Sequence, residues 1–348
     1  VPVLLAAPDK FKGTATASHL AAAMAAGALA SGWESAQRPM SDGGEGLLGV
    51  VGGPNRETVV TGPLGNKVAA SWRFDETPLD SSGVPTAVIE MSQAAGLVLA
   101  GGRERNDAVA ATTRGVGELM VAAVRAGGRR LVVGCGGSAT TDGGAGALEV
   151  LGDRAQLAGV EIVVACDVRV RFLEAAGRFG PQKGASPAQV RVLERRLRAL
   201  ADRYAAEFGL DVRSVEGSGA AGGLAGGLAA IGGKLVSGFE LVASLVRLDD
   251  SLSAADAIVT GEGCLDEQSF LGKVVGEVLT RAGGRPTLCV AGRVSPPGAR
   301  AAAERGLAVV SLSERFDEPS AIASPLALVG DVVAEWLSGL ASVPTSTS

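Results

Sequence analysis

The stretch Leu131-Val-Val-Gly-Cys-Gly-Gly-Ser-Ala-Thr-Thr-Asp-Gly-Gly-Ala-Gly146 joins a β-branched run to a glycine-rich turn that carries a hydroxyl cluster and one acid. It reads as a strand, a phosphate-sized turn and a helix start, the repeating local unit of an α/β protein. Glycines on both sides of Asp142 leave backbone N–H groups without side-chain cover, so an anion can approach the main chain at a helix N-terminus. Ser138, Thr140 and Thr141 add hydroxyl donors. A tight strand-to-helix turn with a capping hydroxyl is the competing reading, and for this stretch alone it ranks first. Similar acid-plus-glycine turns elsewhere in the chain give the stretch its weight.

A chain of 348 residues exceeds the size at which one hydrophobic core stops growing, so two domains are expected. Hydrophobic residues make up 47%, aromatics only 3%, and there are 51 glycines, a composition suited to close helix–sheet packing. The net charge of -5, without a long basic run, gives nucleic acid no electrostatic footprint and points to a small-molecule partner. Apolar runs are broken by charge or glycine before reaching a bilayer-spanning length, and Val1-Pro2 leads directly into the strand-like Val3–Ala7. No membrane partner and a cytoplasmic location are therefore expected. Cys135, Cys166, Cys264 and Cys289 are scattered, without metal-ligand spacing. The single histidine, His19, removes most histidine-based triads, so acid–base chemistry falls to Asp, Glu or Lys.

Outward from the opening stretch, several strand ends carry charge. Val3–Ala7 leads into Pro8-Asp-Lys-Phe-Lys-Gly-Thr14, with Asp9, Lys10 and Lys12 before a helix from about Ser18 to Ala30. After Ala36–Met40 comes Ser41-Asp-Gly-Gly-Glu-Gly46, where Asp42 and Glu45 either hold a metal or orient a hydroxyl, or else sit as acids in a helix's first turn. Glu57–Thr61, Lys67–Phe74 and Thr86–Met91 alternate around turns at Gly62-Pro63, Gly65-Asn66 and Ser81-Ser82-Gly83, a β-meander. A helix is expected over Thr113–Ala126. The strand Val160–Cys166 ends at Asp167, and Phe179-Gly-Pro-Gln-Lys-Gly-Ala185 reads as a loop with Gln182 and Lys183 exposed. Leu193, Leu197, Leu200, Tyr204 and Phe208 share one face of a core helix.

Gly217-Ser-Gly-Ala-Ala-Gly222 matches the dinucleotide pattern G-x-G-x-x-G, so an NAD(P)-dependent dehydrogenase stays open as an alternative, although Asp211–Glu216 before it is a poor strand. Ala257-Ile-Val-Thr-Gly-Glu-Gly263 reads as strand then glycine turn, and continues into Glu262, Asp266, Gln268 and Lys273, the densest polar cluster in the chain. No G-x-x-x-x-G-K-[ST] occurs, which excludes a P-loop. Strands at Thr287–Ala291, before Gly292-Arg293, and at Ala308–Leu312 flank a helix over Pro297–Arg305, and Ser342–Ser348 is a polar tail expected to be disordered.

Taken together, Ala7-Pro-Asp-Lys-Phe-Lys-Gly13, Ser41–Gly46, Gly136–Gly146, Ala165-Cys-Asp-Val168, Phe179–Ala185, Gly219-Ala-Ala-Gly-Gly223 and Thr260–Gly263 with Asp266, Gln268, Gly272 and Lys273 resemble the bacterial type 1 glycerate kinases. The blocks occur in the family's order and span nearly the whole chain. The resemblance implies ATP- and Mg²⁺-dependent phosphorylation of D-glycerate, usually at the 2-hydroxyl. It further implies an α/β fold of two α/β domains, one Rossmann- or flavodoxin-like with a parallel sheet and the other an inserted mixed α/β domain, with the active site in the cleft between them. The expected boundaries are 1–60 plus 252–348 for the first domain and 61–251 for the second, in a monomer or homodimer.

In that setting Gly136, Gly137, Ser138, Thr140, Thr141, Asp142, Gly219 and Gly222 are assigned to ATP. Lys12, Lys183 and Lys273 are charge-neutralising candidates for phosphoryl transfer, and Asp42 and Asp167 are candidates for orienting or deprotonating the substrate hydroxyl. Glu262 and Asp266 are assigned to Mg²⁺, with Asp9, Glu45, Gln182, Gln268 and Arg293 on the substrate side, Arg293 as a bidentate partner for its carboxylate. Two departures from the family flank Asp167. Arg169-Val-Arg-Phe-Leu173 stands where an Asn-Pro-Leu and a glycine turn are usual, and the stretch from the helix after Gly146 to the strand at Val160 is short. They keep open an altered substrate or a non-catalytic homologue. Thr141 stands where the family has Asn.

Overall fold

The computed structural model describes residues 1–77, 83–152 and 157–341. The Ser81-Ser82 part of the expected turn and the Ser342–Ser348 tail lie outside the described residues. The chain divides into two compact units, Val1–Asp42 with Val242–Ser348, and Gly43–Leu241. The sequence places the division after residue 60 and before residue 252. The strand Arg56–Thr61 instead pairs antiparallel with Lys67–Asp75, so it lies in the second unit's sheet.

Among the described residues the first unit contains strands β1 (Val3–Ala6) and β2 (Glu34–Gln37) and, from the later segment, β9 (Ala257–Leu265), β10 (Thr287–Val294) and β11 (Ala308–Ser311). All neighbours are parallel, in the order β11-β10-β9-β1-β2. Counted along this unit's own chain, that is the flavodoxin-like order 2-1-3-4-5, with its reversal between β1 and β9. β1 and the first halves of β9 and β10 are apolar because helices cover them, whereas the edge strand β2 is polar and largely exposed. Leu4, Ala6, Val259, Leu288 and Val290 are buried with Leu20 and Met24 of the helix Ala17–Ala30 and with Val329 and Val333 of the helix Pro325–Ala341. Thr16 caps the first of these helices, its side chain accepting from the His19 N–H, which explains the start before Ser18.

The second unit carries β3 (Arg56–Thr61), β4 (Lys67–Asp75), β5 (Thr86–Glu90), β6 (Arg130–Gly134), β7 (Glu161–Ala165) and β8 (Lys234–Val236), in that order across the sheet. The meander pairs antiparallel from β3 to β5, and β5 to β8 are parallel, giving a mixed sheet. The helix Arg114–Arg125 packs on β3 and β5, and the helix Pro187–Phe208 packs against the short helices Ala175–Phe179 and Leu224–Ala230. Pro187–Phe208 buries Leu193, Leu197, Leu200 and Tyr204, as its spacing predicts. No described helix is long and apolar enough to cross a membrane.

The helices Ala17–Ala30 and Pro325–Ala341 touch where Gly27 faces Gly330. A Cβ at Gly27 would lie 2.3 Å from the Gly330 carbonyl oxygen. Gly27→Ala gains about 1 kcal/mol of helix propensity but forces an overpacked contact that costs typically 1–3 kcal/mol or more. Urea unfolding is expected to show a net loss for Gly27→Ala. Gly339→Ala, on the same later helix where an added Cβ meets nothing within 4 Å, is expected to be neutral or stabilising.

Candidate active site

Residues following the carboxyl ends of the first unit's strands converge at the reversal of strand order. Beyond β1 the chain stays beside β9, with the Ala7 N–H donating to the Val259 carbonyl and the Asp9 N–H to the Gly261 carbonyl, both at 2.8 Å. The buried Thr260 hydroxyl donates to the Ala7 carbonyl at 2.9 Å and fixes the same turn. A cavity of about 440 Å³ opens here, lined by Asp9, Lys10, Lys12, Asp42, Glu262 and Arg293, with Thr14, Ser313 and Glu318 also on its wall. Ligands of open parallel sheets bind outside the carboxyl strand ends at such a reversal. Five of the residues read from sequence, Asp9, Lys12, Asp42, Glu262 and Arg293, are thus brought into one cavity.

Burial decides the electrostatics. Asp9 is pushed up to about 6 by desolvation and then by the charge of Asp42, against the pull of Lys10 and Lys273. Glu262 is pushed up to about 7 by burial, with Ser269 and Lys273 opposing and Asp9 and Asp266 reinforcing the rise. One oxygen of Glu262, Oε1, is buried and accepts no hydrogen bond. Lys12 and Arg293 are exposed, with the Arg293 Nη2 at 4.0 Å from the Cys264 sulfur.

The polar cluster after Glu262 is built differently from its reading as a turn. Thr260–Gly263 lies inside β9, and its glycines serve close strand contact: a Cβ at Gly261 would sit 2.2 Å from the Val290 carbonyl oxygen. Asp266 caps the 3-10 turn Glu267–Phe270, its Oδ1 accepting from the Ser269 N–H at 3.1 Å. Gln268 and Lys273 are exposed and do not line the cavity, although Lys273 acts on both raised acids through its charge.

In the second unit the opening stretch forms strand β6 and a loop leading to the helix Ala145–Leu151. The Asp142 carboxylate belongs to the fold. Its Oδ2 accepts from the Thr113 N–H and hydroxyl, both at 2.8 Å, and from the Gly146 N–H, while Oδ1 accepts from the Gly144 N–H. Gly137 is exposed and Ser138 half-buried, but Thr140 and Thr141 are fully buried, each with a hydroxyl that has no hydrogen-bond partner. The Gly44-Glu45 backbone lies against this loop: a Cβ at Gly136 would be 2.8 Å from the Glu45 amide nitrogen. Glu45 itself is exposed.

Gly219 and Gly222 are occupied by protein backbone. The Gly222 carbonyl accepts from the Gly143 N–H at 3.0 Å, and a Cβ at Gly222 would lie 2.0 Å from the Thr140 carbonyl oxygen. A Cβ at Gly219 would lie 2.5 Å from the Arg171 carbonyl oxygen. The Gly217–Gly222 pattern follows the 3-10 turn Val212–Ser214, not a strand, and so lacks the strand-to-helix context of a dinucleotide site. Lys183 is buried at 6% exposure, against the exposed loop position expected from sequence; Gln182 is exposed. The short turn Pro181–Lys183 directs the lysine inward, where its Nζ donates to the Thr140 carbonyl at 2.7 Å. Burial lowers it to about 7, with Asp142 opposing.

Asp167 is exposed, and its Oδ1 accepts from the Gly238 N–H at 2.7 Å and the Ser237 hydroxyl at 3.3 Å, at the start of the helix Gly238–Leu245. The divergent Arg169–Leu173 segment is integrated into the core. Phe172 is fully buried, edge-on to Tyr204 at 6.1 Å, and crowds Gly143, Gly223 and Gly226. Glu90, absent from the sequence-derived set, is buried at the end of β5 and accepts from the Gly46 and Leu48 N–H groups at 3.0 and 2.8 Å. An acid ending an apolar strand was the available signal, the same one that marks Asp167. Ser313 and Glu318 follow β11 without a glycine turn to draw attention to them.

The donor set fits a magnesium ion that keeps most of its water. Glu262 presents a buried, unpartnered carboxylate oxygen, whereas Asp266 spends an oxygen on its cap, and among the described residues no group of three His, Cys, Asp or Glu is arranged to hold a metal.

A parallel sheet of this order with a charged cavity at its switch point is the arrangement of an α/β protein that takes a small molecule at its strand ends. The chain matches the glycerate kinase family over residues 4–156 and 153–335 and belongs to it; it is a kinase. The two matches overlap at residues 153–156. It is 35% identical to a protein named glycerate 2-kinase from Escherichia coli (strain K12), covering 78% of this chain and 79% of that one. It is 36% identical to a glycerate kinase from Bacillus subtilis (strain 168), covering 78% and 79%. A crystal structure from Salmonella typhimurium LT2, described as a candidate glycerate kinase 2, superposes over all of both chains with a TM-score of 0.81 at 27% identity.

Asp9 has a folded pKa of about 6, above its ordinary 3.8, so the folded state binds the proton more tightly. Its contribution to stability is full below pH 4 and is lost as pH rises to 6. Denaturant unfolding across this window is expected to show a decline in the wild type that is shallower in Asp9→Asn.

Proposed function

We propose that this kinase transfers the γ-phosphoryl group of ATP to a hydroxyl of D-glycerate, giving 2-phosphoglycerate, with 3-phosphoglycerate as the alternative product. The observation that carries the reading is the cavity at the strand-order reversal, where Asp9, Asp42 and Glu262 stand beside Lys10, Lys12 and Arg293. Relatives named glycerate kinase and glycerate 2-kinase support the acceptor.

Arg293 pairs with the substrate carboxylate through its planar fork, and Lys12 and Lys273 offset charge on the phosphates. Asp42 takes the proton as the glycerate oxygen forms its bond to phosphorus and the bond from γ-phosphorus to the bridging oxygen breaks, releasing ADP. Asp167 is the second candidate for that proton, with one oxygen already holding a helix start. Glu262 would be the protein carboxylate that holds Mg²⁺, and the ion would supply charge neutralisation at the phosphates. Asp9 and the remaining acids orient the hydroxyls.

In the second unit Gly136, Gly137 and Ser138 offer main-chain and hydroxyl donors to the ATP phosphates. Asp142, Gly219 and Gly222 act by shaping that loop, because their polar or open faces are filled by protein. The free, unpaired thiols fit a reducing, cytoplasmic setting.

Incubation with D-glycerate, ATP and Mg²⁺, followed by phosphorus NMR, is expected to give the 2-phosphoglycerate resonance; no phosphoglycerate from folded protein would overturn the assignment. Asp42→Asn is expected to lower kcat about 100-fold or more with the KM for glycerate little changed. A comparable loss in Asp167→Asn instead, with Asp42→Asn fully active, would move the base to Asp167.

A further inference from the structure

The lysine of the Phe179–Ala185 loop has the sequence signature of a phosphate-binding cation, and its placement argues for another task. Its Nζ is buried and donates at 2.7 Å to the main-chain carbonyl of Thr140. The same loop is fastened from a second side by Asn106, whose Nδ2 donates to the Ala139 carbonyl at 3.0 Å and to the Lys183 carbonyl at 2.8 Å. From a third side the Gly222 backbone lies against Thr140, close enough that no Cβ fits. The stem of Lys183 runs near the Phe179 ring, with Nζ 5.9 Å from its centre, and the charge that faces it is Asp142.

We propose that Lys183 is a positioning residue: it ties the Thr140 carbonyl to the Pro181–Lys183 turn, sets the conformation of the Gly136–Thr141 loop, and does not itself touch substrate. A buried amine donates a hydrogen bond whether or not it is charged, so its proton inventory is secondary to its reach. The turn and Asn106 then form a clamp on two successive carbonyls, Ala139 and Thr140. The clamp holds the preceding donors, Gly136 to Ser138, in a fixed array before any ligand arrives. This inference rests on the assignment of that loop to ATP phosphates.

Three measurements test it. Hydrogen–deuterium exchange of the loop amides at 136–143, without substrate, is expected to accelerate roughly tenfold in Lys183→Met, because the buried Thr140 carbonyl loses its donor. Steady-state kinetics is expected to show the KM for ATP rising about tenfold while the KM for D-glycerate changes less than twofold, a split that general destabilisation does not produce. Asn106→Ala, which releases the neighbouring carbonyl without altering any cation, is expected to reproduce both effects, and the double variant to be less than additive.

Unchanged loop exchange with a large fall in kcat, rescued by Lys183→Arg, would overturn the proposal and make Lys183 a cation on the phosphates. Unchanged exchange and unchanged kinetics in both single variants would also overturn it. Because exchange is read on the free protein, it decides the clamp even if D-glycerate is not the acceptor. In that case the phosphorus NMR assay fails and the exchange result stands.

Discussion

The buried carboxylate of Asp142 is the constraint on which the second unit's loop depends. Its two oxygens collect N–H groups from Thr113, Gly144 and Gly146 and the hydroxyl of Thr113. Those donors belong to the starts of two helices, so a single charge stabilises both helix N-termini and fixes the exit of the loop. A buried carboxylate is tolerated only when its lone pairs are filled, and here they are filled by the backbone groups that helix starts leave unsatisfied. The loop's entry is fixed separately by β6 and by the carbonyls that Asn106 and Lys183 hold.

In the first unit the corresponding constraint is topological. Reversal of strand order between β1 and β9 leaves a gap at the carboxyl ends, where the segments after β1 and β2 bring Asp9 and Asp42 and the carboxyl-terminal half of β9 itself brings Glu262. Desolvation raises Asp9 and Glu262 toward neutrality, and the cations around them hold the rise in check. Acids poised in this range can exchange protons near neutral pH.

Glycine carries different meanings in the two units, and sequence alone conflates them. The Gly136–Gly146 and Gly219–Gly223 blocks both read as phosphate turns. In space, Gly261 and Gly292 allow β9 and β10 to run close, Gly263 lies against the Phe11–Lys12 backbone, and Gly219 and Gly222 let one backbone lie on another. At Gly137 the opening loop keeps an accessible face. A missing side chain opens space equally for a ligand or for a neighbouring strand, and the chain's own packing decides which of them takes it.

The residues by themselves determined the α/β class, the meander, the helix faces and the family, because periodicity and turn chemistry are local and the motif order is written along the chain. They also marked the five predicted side chains that meet in the first unit's cavity, since acids and lysines after buried strands have few other reasons to be there. Tertiary structure alone decided that Lys183 points inward, that Asp142 and Asp266 serve as caps, that Glu90 grips the Gly46–Leu48 backbone, and that the strand Arg56–Thr61 belongs to the second sheet. Each of these depends on which distant backbone groups need a partner, and that requirement exists only once the chain has packed.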